Sequence, residues 1–236
     1  MILQRALMGA TNSGGLVTSG LVFHLDAGNP ASYPGSGSTW TDLIHGAQGT
    51  LQGTYSYSAN DGGYLQSGVQ PFGAVFSTFP ANLPTGTAAR TICVMCYVTA
   101  TDSSLFAFGD NAFDGSRLQT IIRTDFFNNY AEVRNGIIRT TESATLNTWM
   151  MITTTMPQSS TLSQLQIYRN DVSLTMSVFG GGTIQMNTAS FWKVGKYWDN
   201  TNTMRGRLAT MHIYNRVLTN AEIAQNFQAQ RGRFGI

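Results

Sequence analysis

One short stretch of the chain combines aromatic and hydrogen-bonding residues in the way that sugar ligands require. Tyr197-Trp198-Asp199-Asn200 places two adjacent aromatic rings directly before a carboxylate and an amide. An aromatic ring offers a flat apolar face to a sugar ring, and polar groups beside it can bond the hydroxyls. The four residues are therefore a candidate carbohydrate-binding site in a loop that follows a strand. The alternative is that Trp198 covers the edge of the folded domain.

Two cysteines form a second candidate motif, Cys93-x-x-Cys96. This spacing occurs in redox and zinc sites, but here Ile92, Val94 and Val98 continue an apolar run that is typical of a buried strand. Residues three apart in a strand point to opposite faces and lie about 10 Å apart. Because that distance is beyond disulfide reach, we expect two buried structural thiols and neither a disulfide nor a zinc site.

The composition describes a protein with few charges and a large apolar fraction. Of 236 residues, 42% are hydrophobic and 11% are charged, against about 25% charged in an average protein. The net charge of +2 is too small for a nucleic-acid interface, which needs clustered basic residues. No stretch approaches the roughly twenty apolar residues of a membrane span. Such a surface fits extracellular or particle-bound proteins; the alternative is simply a Thr- and Ser-rich β protein.

The first fifteen residues differ from those that follow. Residues 1–15 are predicted to be an N-terminal arm and residues 16–236 a single domain. The arm is too short and too interrupted for a signal peptide, and Gly14-Gly15 separates it from the next strand. We expect it to bind a neighbouring subunit rather than fold back on its own domain. The residues expected to carry this assembly contact are Ile2, Leu3, Arg5, Leu7 and Met8.

The rest of the chain reads mainly as short β-strands. Turn signals at Asn60-Asp61-Gly62-Gly63 and Asn135-Gly136 are typical of hairpins. About twelve to fourteen strands are expected, enough for two packed antiparallel sheets. The clearest strand segments are 16–26, 50–57, 63–69, 90–100 and 149–156.

The C-terminal segment predicts one strand followed by one helix. From Leu208 the apolar positions alternate with polar ones, with one slip, through Met211, Ile213 and Val217, which predicts a half-buried strand. Asn215-Arg216 reads as a turn. Thr219 lies three residues before Glu222, which is the spacing of a reciprocal capping box. Apolar residues then recur at helical spacing. We expect a short helix over about residues 220–230.

Four motifs occur in an order that suggests a family. They are Gly20-Leu21-Val22-Phe23-His24-Leu25-Asp26-Ala27-Gly28-Asn29; Thr39-Trp40-Thr41-Asp42-Leu43; Leu146-Asn147-Thr148-Trp149 with Gln166-Ile167-Tyr168-Arg169-Asn170-Asp171; and Gly206 with Ile213-Tyr214-Asn215-Arg216, Leu218-Thr219 and Glu222-Ile223. Together they resemble laminin-G-like domains of the concanavalin A-like lectin/glucanase superfamily. The resemblance covers about residues 16–231. It implies an all-β, antiparallel two-sheet jelly-roll sandwich with one short C-terminal helix. This fold hosts enzymes, lectins and structural modules alike.

Glucanase members of that superfamily hydrolyse glycosidic bonds with two carboxylates on one strand. The chain has three glutamates, Glu132, Glu142 and Glu222, and no Asp/Glu pair two residues apart on a predicted strand. Gly180-Gly181-Gly182 lacks the Lys-Ser/Thr of a phosphate-binding loop. We therefore predict that the protein is not an enzyme.

Relatives of this kind often hold a calcium ion with loop carboxylates and carbonyls, and calcium takes six to eight oxygen ligands. Asp110, Asn111 and Asp114 form one candidate cluster, and Asp199-Asn200 with Asn202 forms another. Neither matches a defined calcium motif, and ordinary solvated turns are the alternative. Calcium is the one cofactor that the sequence leaves open.

Two function classes follow from these observations. The low charge, the arm, the missing carboxylate pair and an Arg-Gly-Arg-Phe-Gly-Ile ending that resembles laminin-G-like proteins of phage genomes predict a bacteriophage capsid decoration or cement protein. It would sit on the particle surface as a trimer and bridge neighbouring copies of the major capsid protein through apolar and Arg-rich contacts. The alternative is a carbohydrate-binding, lectin-like module of a phage tail fibre or another extracellular host-recognition protein.

Overall fold

A computed structural model describes residues 14–68, 72–77, 80, 82–109, 116–123, 126–130, 136–180, 191–201 and 203–236. In this part of the chain the strands are β1 (Leu21–Asp26), β2 (Thr39–Thr41), β3 (Gln48–Gln52), β4 (Tyr55–Ser58), β5 (Tyr64–Ser67), β6 (Gly73–Phe76), β7 (Arg90–Val98), β8 (Ser103–Gly109), β9 (Arg117–Arg123), β10 (Phe126–Tyr130), β11 (Gly136–Thr140), β12 (Trp149–Met156), β13 (Gln166–Arg169), β14 (Val172–Ser173), β15 (Met176–Gly180), β16 (Phe191–Val194) and β17 (Gly206–Tyr214). One α-helix, α1 (Asn220–Arg231), follows them. Short 3-10 turns span Asn60–Gly62, Leu162–Gln164 and Gly232–Phe234.

The strands form two antiparallel sheets. The eight-stranded sheet has the order β14-β13-β12-β7-β17-β5-β4, with β1 also paired to β17. The nine-stranded sheet has the order β15-β11-β10-β9-β8-β16-β6-β3-β2. The fold prediction, a two-sheet antiparallel sandwich with one C-terminal helix, is confirmed. The number of strands was underestimated, because some stretches that read as continuous are divided.

The main core lies between the two sheets and is rich in aromatic side chains. Trp192 of β16 stacks on Phe108 of β8 at a centroid distance of 4.0 Å. Phe23 of β1, from the other sheet, meets the same indole edge-on at 4.7 Å. Such pairs add about 0.5–1.5 kcal/mol each beyond the apolar area that they bury. This aromatic cluster ties β16 and β8 of one sheet to β1 of the other.

A second core lies on the opposite face of the eight-stranded sheet, under α1. Strand β7 contributes to both cores: Cys96 packs between the sheets, and Cys93 packs in the cluster that contains the helix residues Ile223 and Phe227. The prediction that the two cysteines point to opposite faces of a buried strand is confirmed. Both are free thiols.

Helix α1 begins as the capping box predicts. The Glu222 amide donates to Thr219 Oγ1 at 3.3 Å, and the Thr219 amide donates to Glu222 Oε2 at 2.9 Å. Strand β17 ends at Tyr214, so Val217 lies beyond it and is 38% exposed. The strand ends directly before Asn215-Arg216, where the turn was predicted, and the apolar alternation does not extend it to Val217. No helix in the described part of the chain has the length and apolar character needed to cross a membrane.

The predicted strand over residues 50–57 is in fact two strands in different sheets. Strand β3 pairs with β2 and β6 in the nine-stranded sheet, whereas β4 pairs with β5 in the eight-stranded sheet. Between them, Gly53 has a φ of +88°, a left-handed conformation that glycine adopts without steric cost. The chain therefore crosses from one sheet to the other at Gly53, although the apolar alternation continues through it.

The predicted first strand, residues 16–26, begins later than expected. Strand β1 starts at Leu21, after a turn in which the Leu21 amide donates to the Thr18 carbonyl at 3.1 Å. The residues before that turn run along α1 instead. The Val17 amide donates to Asn226 Oδ1 at 2.9 Å, and Gln225 Nε2 donates to the Gly15 carbonyl at 2.8 Å. The arm residues Ile2, Leu3, Arg5, Leu7 and Met8 lie outside the described residues.

Candidate functional site

The stretch Tyr197-Trp198-Asp199-Asn200 forms a tight loop directly after β16. The Asn200 amide donates to the Tyr197 carbonyl at 3.1 Å, and Asn200 has a φ of +67°, which asparagine tolerates better than most residues. The base of the loop is closed by a bridge between Lys196 and Thr203. The loop is thus held at its base and at its tip by the backbone itself.

The loop stands beside the outer face of the nine-stranded sheet, the face turned away from the core. Trp192 and Val194 of β16 point into the core, so Lys193 between them faces outward. Lys193 is paired with Ala107 of β8, and Ala107 is paired in turn with Gln119 of β9. This row places a cation and an amide on the same outer face as the loop.

The Lys193 side chain holds the loop in place through two hydrogen bonds. Its Nζ donates to the Trp198 carbonyl at 2.6 Å and to Asn200 Oδ1 at 3.2 Å. Burial lowers the pKa of Lys193; neighbouring Lys196 lowers it further, and Asp199 opposes the shift. The ammonium group thus acts as a buried anchor for the loop backbone, and it orients the Asn200 side chain.

The two aromatic residues of the loop have different environments. Tyr197 is 9% exposed, so its ring is buried and cannot serve as an open platform. Trp198 is half-buried. The Arg117 guanidinium of β9 lies over the Trp198 ring, with Cζ 4.7 Å from the centroid, within the range of a cation–π contact. The predicted aromatic pair is thereby reduced to one candidate platform, Trp198.

The polar residues of the loop keep bonding capacity toward solvent. Asp199 Oδ1 accepts from the Thr201 amide at 2.9 Å and from its hydroxyl at 2.6 Å. Both Asp199 and Asn200 are exposed. Within the described residues no hydrogen bond uses Asp199 Oδ2 or Asn200 Nδ2. One acceptor and one amide donor therefore remain available beside the Trp198 ring, which is the combination that sugar hydroxyls require.

Three residues of this face were missed in the sequence: Lys193, Arg117 and Gln119. Gln119 is fully buried, and neither of its amide atoms bonds to another described residue. A signal did exist, since Arg117 and Gln119 alternate with apolar Leu118, which indicates a strand with one polar face. What the sequence could not show is that β9 and β16 lie two strands apart in the same sheet.

Several other predicted positions fall outside this site or outside the described residues. The calcium candidates Asp110, Asn111 and Asp114 lie outside the described residues, as does Asn202 of the second cluster. Among the residues that the structure describes, no group of three His, Cys, Asp or Glu side chains is arranged to hold a metal ion. Glu222 belongs to the helix cap.

Comparison with known proteins identifies the family of the chain. Residues 73–224 match the Laminin_G_3 model, described as Concanavalin A-like lectin/glucanases superfamily. The chain belongs to this family. The resemblance seen in the motifs is confirmed at that level, while a kinship with bacteriophage structural proteins remains a prediction. No curated protein matches the chain significantly.

Solved structures with the same laminin-G-like fold include several domains of larger proteins. Domain 4 of AbnA, a GH43 extracellular arabinanase from Geobacillus stearothermophilus, in complex with arabinotriose, matches with a TM-score of 0.62 and 14% identity, covering 89% of this chain and 98% of that one. Trypanosoma rangeli sialidase in complex with the inhibitor DANA gives 0.62 and 16%, and the match covers 92% of this chain but 34% of the sialidase. The binding domain of Paraclostridial Mosquitocidal Protein 1 gives 0.56 and 16%, covering 88% and 52%. At these identities the likeness shows the fold alone.

Proposed function

We propose that the protein is a carbohydrate-binding module and that its ligand contacts the loop after β16. The observation that carries the proposal is the fixed arrangement around Trp198. The ring is partly exposed and backed by Arg117. Its backbone is anchored by Lys193, and exposed Asp199 and Asn200 follow it directly.

The arrangement suits a sugar because it needs little reorganisation on binding. A loop that is already ordered loses less conformational freedom when a ligand arrives. An indole ring supplies the apolar contact, and the carboxylate and amide beside it can bond adjacent hydroxyls. Asn200 is the better placed of the two polar groups, since Lys193 already fixes its oxygen at 3.2 Å and leaves its NH2 group to donate.

The structural neighbours support the proposal, but the proposal does not depend on them. Domain 4 of AbnA was solved with arabinotriose bound, and another neighbour is the binding domain of a toxin. Those ligands belong to those proteins. The role of a capsid decoration protein remains a prediction, because the described residues and the comparisons do not test it, and the arm residues expected to make the assembly contact lie outside the described part of the chain.

A glycan array with a small set of variants tests the proposal. Trp198→Ala removes the ring, whereas Trp198→Phe keeps an aromatic face. Val172→Ala is the matched control, since Val172 is 61% exposed on β14 of the other sheet. We expect Trp198→Ala to weaken binding at least about tenfold, which corresponds to about 1.4 kcal/mol, and the other two variants to bind within about threefold of the parent.

The array should be repeated with calcium and with a chelator, which separates the calcium prediction from the aromatic one. Equal binding by Trp198→Ala and the parent would exclude the loop as the site. Loss of all binding in chelator, with Trp198→Ala unaffected, would move the site to a calcium-dependent position elsewhere on the domain.

A further inference from the structure

A second concave surface lies where the edges of the two sheets come together. Strand β2 is the last strand of the nine-stranded sheet, and β4 is the last strand of the eight-stranded sheet. Between β4 and the loop that precedes β2 lies a shallow, open cleft of about 540 Å³. Its lining consists of three tyrosines with glycines and serines: Tyr33, Gly35, Ser36, Gly37, Ser38, Tyr55, Ser56 and Tyr57.

The loop on one side of this tyrosine cleft is fixed by the tyrosines themselves. The Tyr33 hydroxyl donates to the Gly37 carbonyl at 2.9 Å, and the Tyr55 hydroxyl donates to the same carbonyl at 3.1 Å. Gly35 and Gly37 have φ values of +87° and +84°, where a side chain would be strained. Two phenols thus hold a loop whose composition alone would make it flexible, and the wall of the cleft is set before any ligand arrives.

The aromatic surface of the cleft is also rigid. Tyr33 is 3% exposed and is packed into the core. The half-buried Tyr57 ring lies 5.5 Å from it, centroid to centroid. Tyr55 and Tyr57 both pack against the main core while still lining the cleft. The half-buried Tyr55 and Tyr57 rings therefore present part of their surface to an open space, while the buried Tyr33 ring packs against Tyr57 from the core.

We propose that the tyrosine cleft is a second binding site and that its ligand is an uncharged oligosaccharide. None of the described residues that line it carries a charge, so this lining offers no ionic partner to a phosphate, sulfate, carboxylate or amine. Tyrosine supplies rigid contact area at low entropic cost, and Ser and Gly supply adaptable hydrogen bonding. The volume lies within the range of small-ligand sites, about 300–1,000 Å³.

The ligand class follows from the mixture of aromatic rings and hydrogen-bonding groups that line the cleft. A neutral sugar chain presents apolar ring faces to aromatic rings and presents hydroxyls to main-chain carbonyls and to other hydroxyls. Ser36 and Ser38 are exposed at the cleft, so their hydroxyls can bond to a ligand. A purely apolar ligand would leave these groups unbonded, and a charged ligand would be desolvated without compensation.

This second site is independent of the loop after β16. Three strand spacings separate β16 from β2, which at about 4.8 Å each amounts to about 14 Å. The two surfaces also differ in charge, because Lys193 and Arg117 belong to the loop site, whereas the described lining of the tyrosine cleft contains no cation. The inference therefore does not rest on the function proposed for Trp198.

The test is to block the cleft without disturbing the core. Ser36 is exposed in the loop before β2 and lines the cleft, so Ser36→Arg fills it with a long charged side chain. Ser173→Arg is the matched control, since Ser173 is exposed on β14, at the edge of the eight-stranded sheet opposite to β4. Thermal unfolding should give the same midpoint for both variants within about 2 °C.

Parent, Ser36→Arg, Ser173→Arg and Trp198→Ala are then compared on an array of uncharged oligosaccharides that includes arabinotriose, cellotriose and maltotriose. The sugars that bind are then titrated by calorimetry. We expect at least one uncharged sugar to bind the parent, Ser173→Arg and Trp198→Ala alike, and to bind Ser36→Arg at least about tenfold more weakly. Equal binding by Ser36→Arg and Ser173→Arg, or no binding of any uncharged sugar to the parent, would overturn the second site. Loss in Trp198→Ala alone would leave only the loop site standing, and loss in Ser36→Arg alone would leave only the cleft.

Discussion

Arg216 and Glu222 form a two-point ion pair across the turn that joins β17 to α1. Arg216 Nη1 donates to Glu222 Oε2 at 2.9 Å, and Nη2 donates to Oε1 at 2.6 Å. Arg216 Nε also donates to the Ser19 carbonyl at 3.0 Å. One guanidinium therefore joins the start of the helix to the turn before β1. The Arg216 hydrogen bonds, followed by those from Thr219, lower the pKa of Glu222 to about 2.

Replacing Glu222 by alanine should lower the free energy of unfolding by about 1–2 kcal/mol, since a capping contact and a charge-assisted bond are both lost. Gln228→Ala is the control, because Gln228 is exposed on the same helix. Urea denaturation measures both variants. The lowered pKa also predicts how stability depends on pH. The stabilising contribution of the Glu222 carboxylate is complete above about pH 4.5 and is lost as the pH falls toward about 2. Glu222→Ala should therefore lose less stability than the parent between about pH 4.5 and about pH 2. If the free energy of unfolding fell equally with pH in both proteins, Glu222 would not be the group responsible.

The histidines His24 and His212 pair across β1 and β17 with ring centroids 4.5 Å apart. Burial lowers the pKa of His212 well below its ordinary value. Burial also lowers the pKa of His24, although nearby Asp26 and Asp42 oppose that shift and Arg233 adds to it. Both rings are thus favoured neutral in the folded state, while the unfolded chain binds protons near pH 6.5.

Stability should therefore be complete above about pH 6.5 and should fall below it, by up to about 1.4 kcal/mol per pH unit for each histidine. Urea denaturation at about pH 7.5 and about pH 5 measures the slope. His212→Gln should flatten it. His45→Gln, at an exposed histidine that contacts Asn82, is the control. An unchanged slope in His212→Gln would show that other groups produce the acid sensitivity.

Lys193 should act on sugar binding through the loop rather than by touching the ligand. Lys193→Met keeps the apolar stem and removes the donor to the Trp198 carbonyl and to Asn200. We expect weaker binding by about five- to tenfold, with faster dissociation, because the ligand must then order the loop. Amide hydrogen exchange in residues 197–201 should accelerate at the same time. Lys196→Met is the control, because that amine bonds to Gln52 instead.

The cysteines should be unreactive until the protein unfolds. Burial raises the pKa of Cys93 to about 12 and raises that of Cys96 further, and the thiolate is the reactive form. A thiol reagent at about pH 8 should label neither residue in native protein and both in guanidinium. Mild oxidation should not link them, since they lie on opposite faces of β7. Rapid labelling of native protein would place one of them at the surface.

Local chemistry made the helix predictable. The cap depends on Thr219 and Glu222, which are three residues apart, so their spacing in the sequence already fixes their contact. The faces of Cys93 and Cys96 were predictable for the same reason, because strand geometry alone decides them. Pairwise register between distant strands has no such local signal.

The candidate sites depend on contacts that local sequence does not determine. Tyr197 and Trp198 are adjacent, and only the tertiary environment decides which ring is buried. The tyrosine cleft was not predicted, because Tyr33 lies more than twenty residues before Tyr55 and the crossing at Gly53 brings them together. Arg117 reaches Trp198 only through the order of strands in the nine-stranded sheet.

The position of β17 has a consequence for how the domain is made. It is the last strand in the chain, yet it lies inside its sheet, with β7 on one side and both β1 and β5 on the other. Residue 21 finds its partner only at residue 214. The chain is synthesised at about 5–20 residues per second. Strands β1, β5 and β7 therefore leave the ribosome before β17, and the edges that pair with β17 stay unpaired until it is synthesised. Pairings over such separations form slowly, so the nascent domain is exposed to aggregation until its final segment emerges.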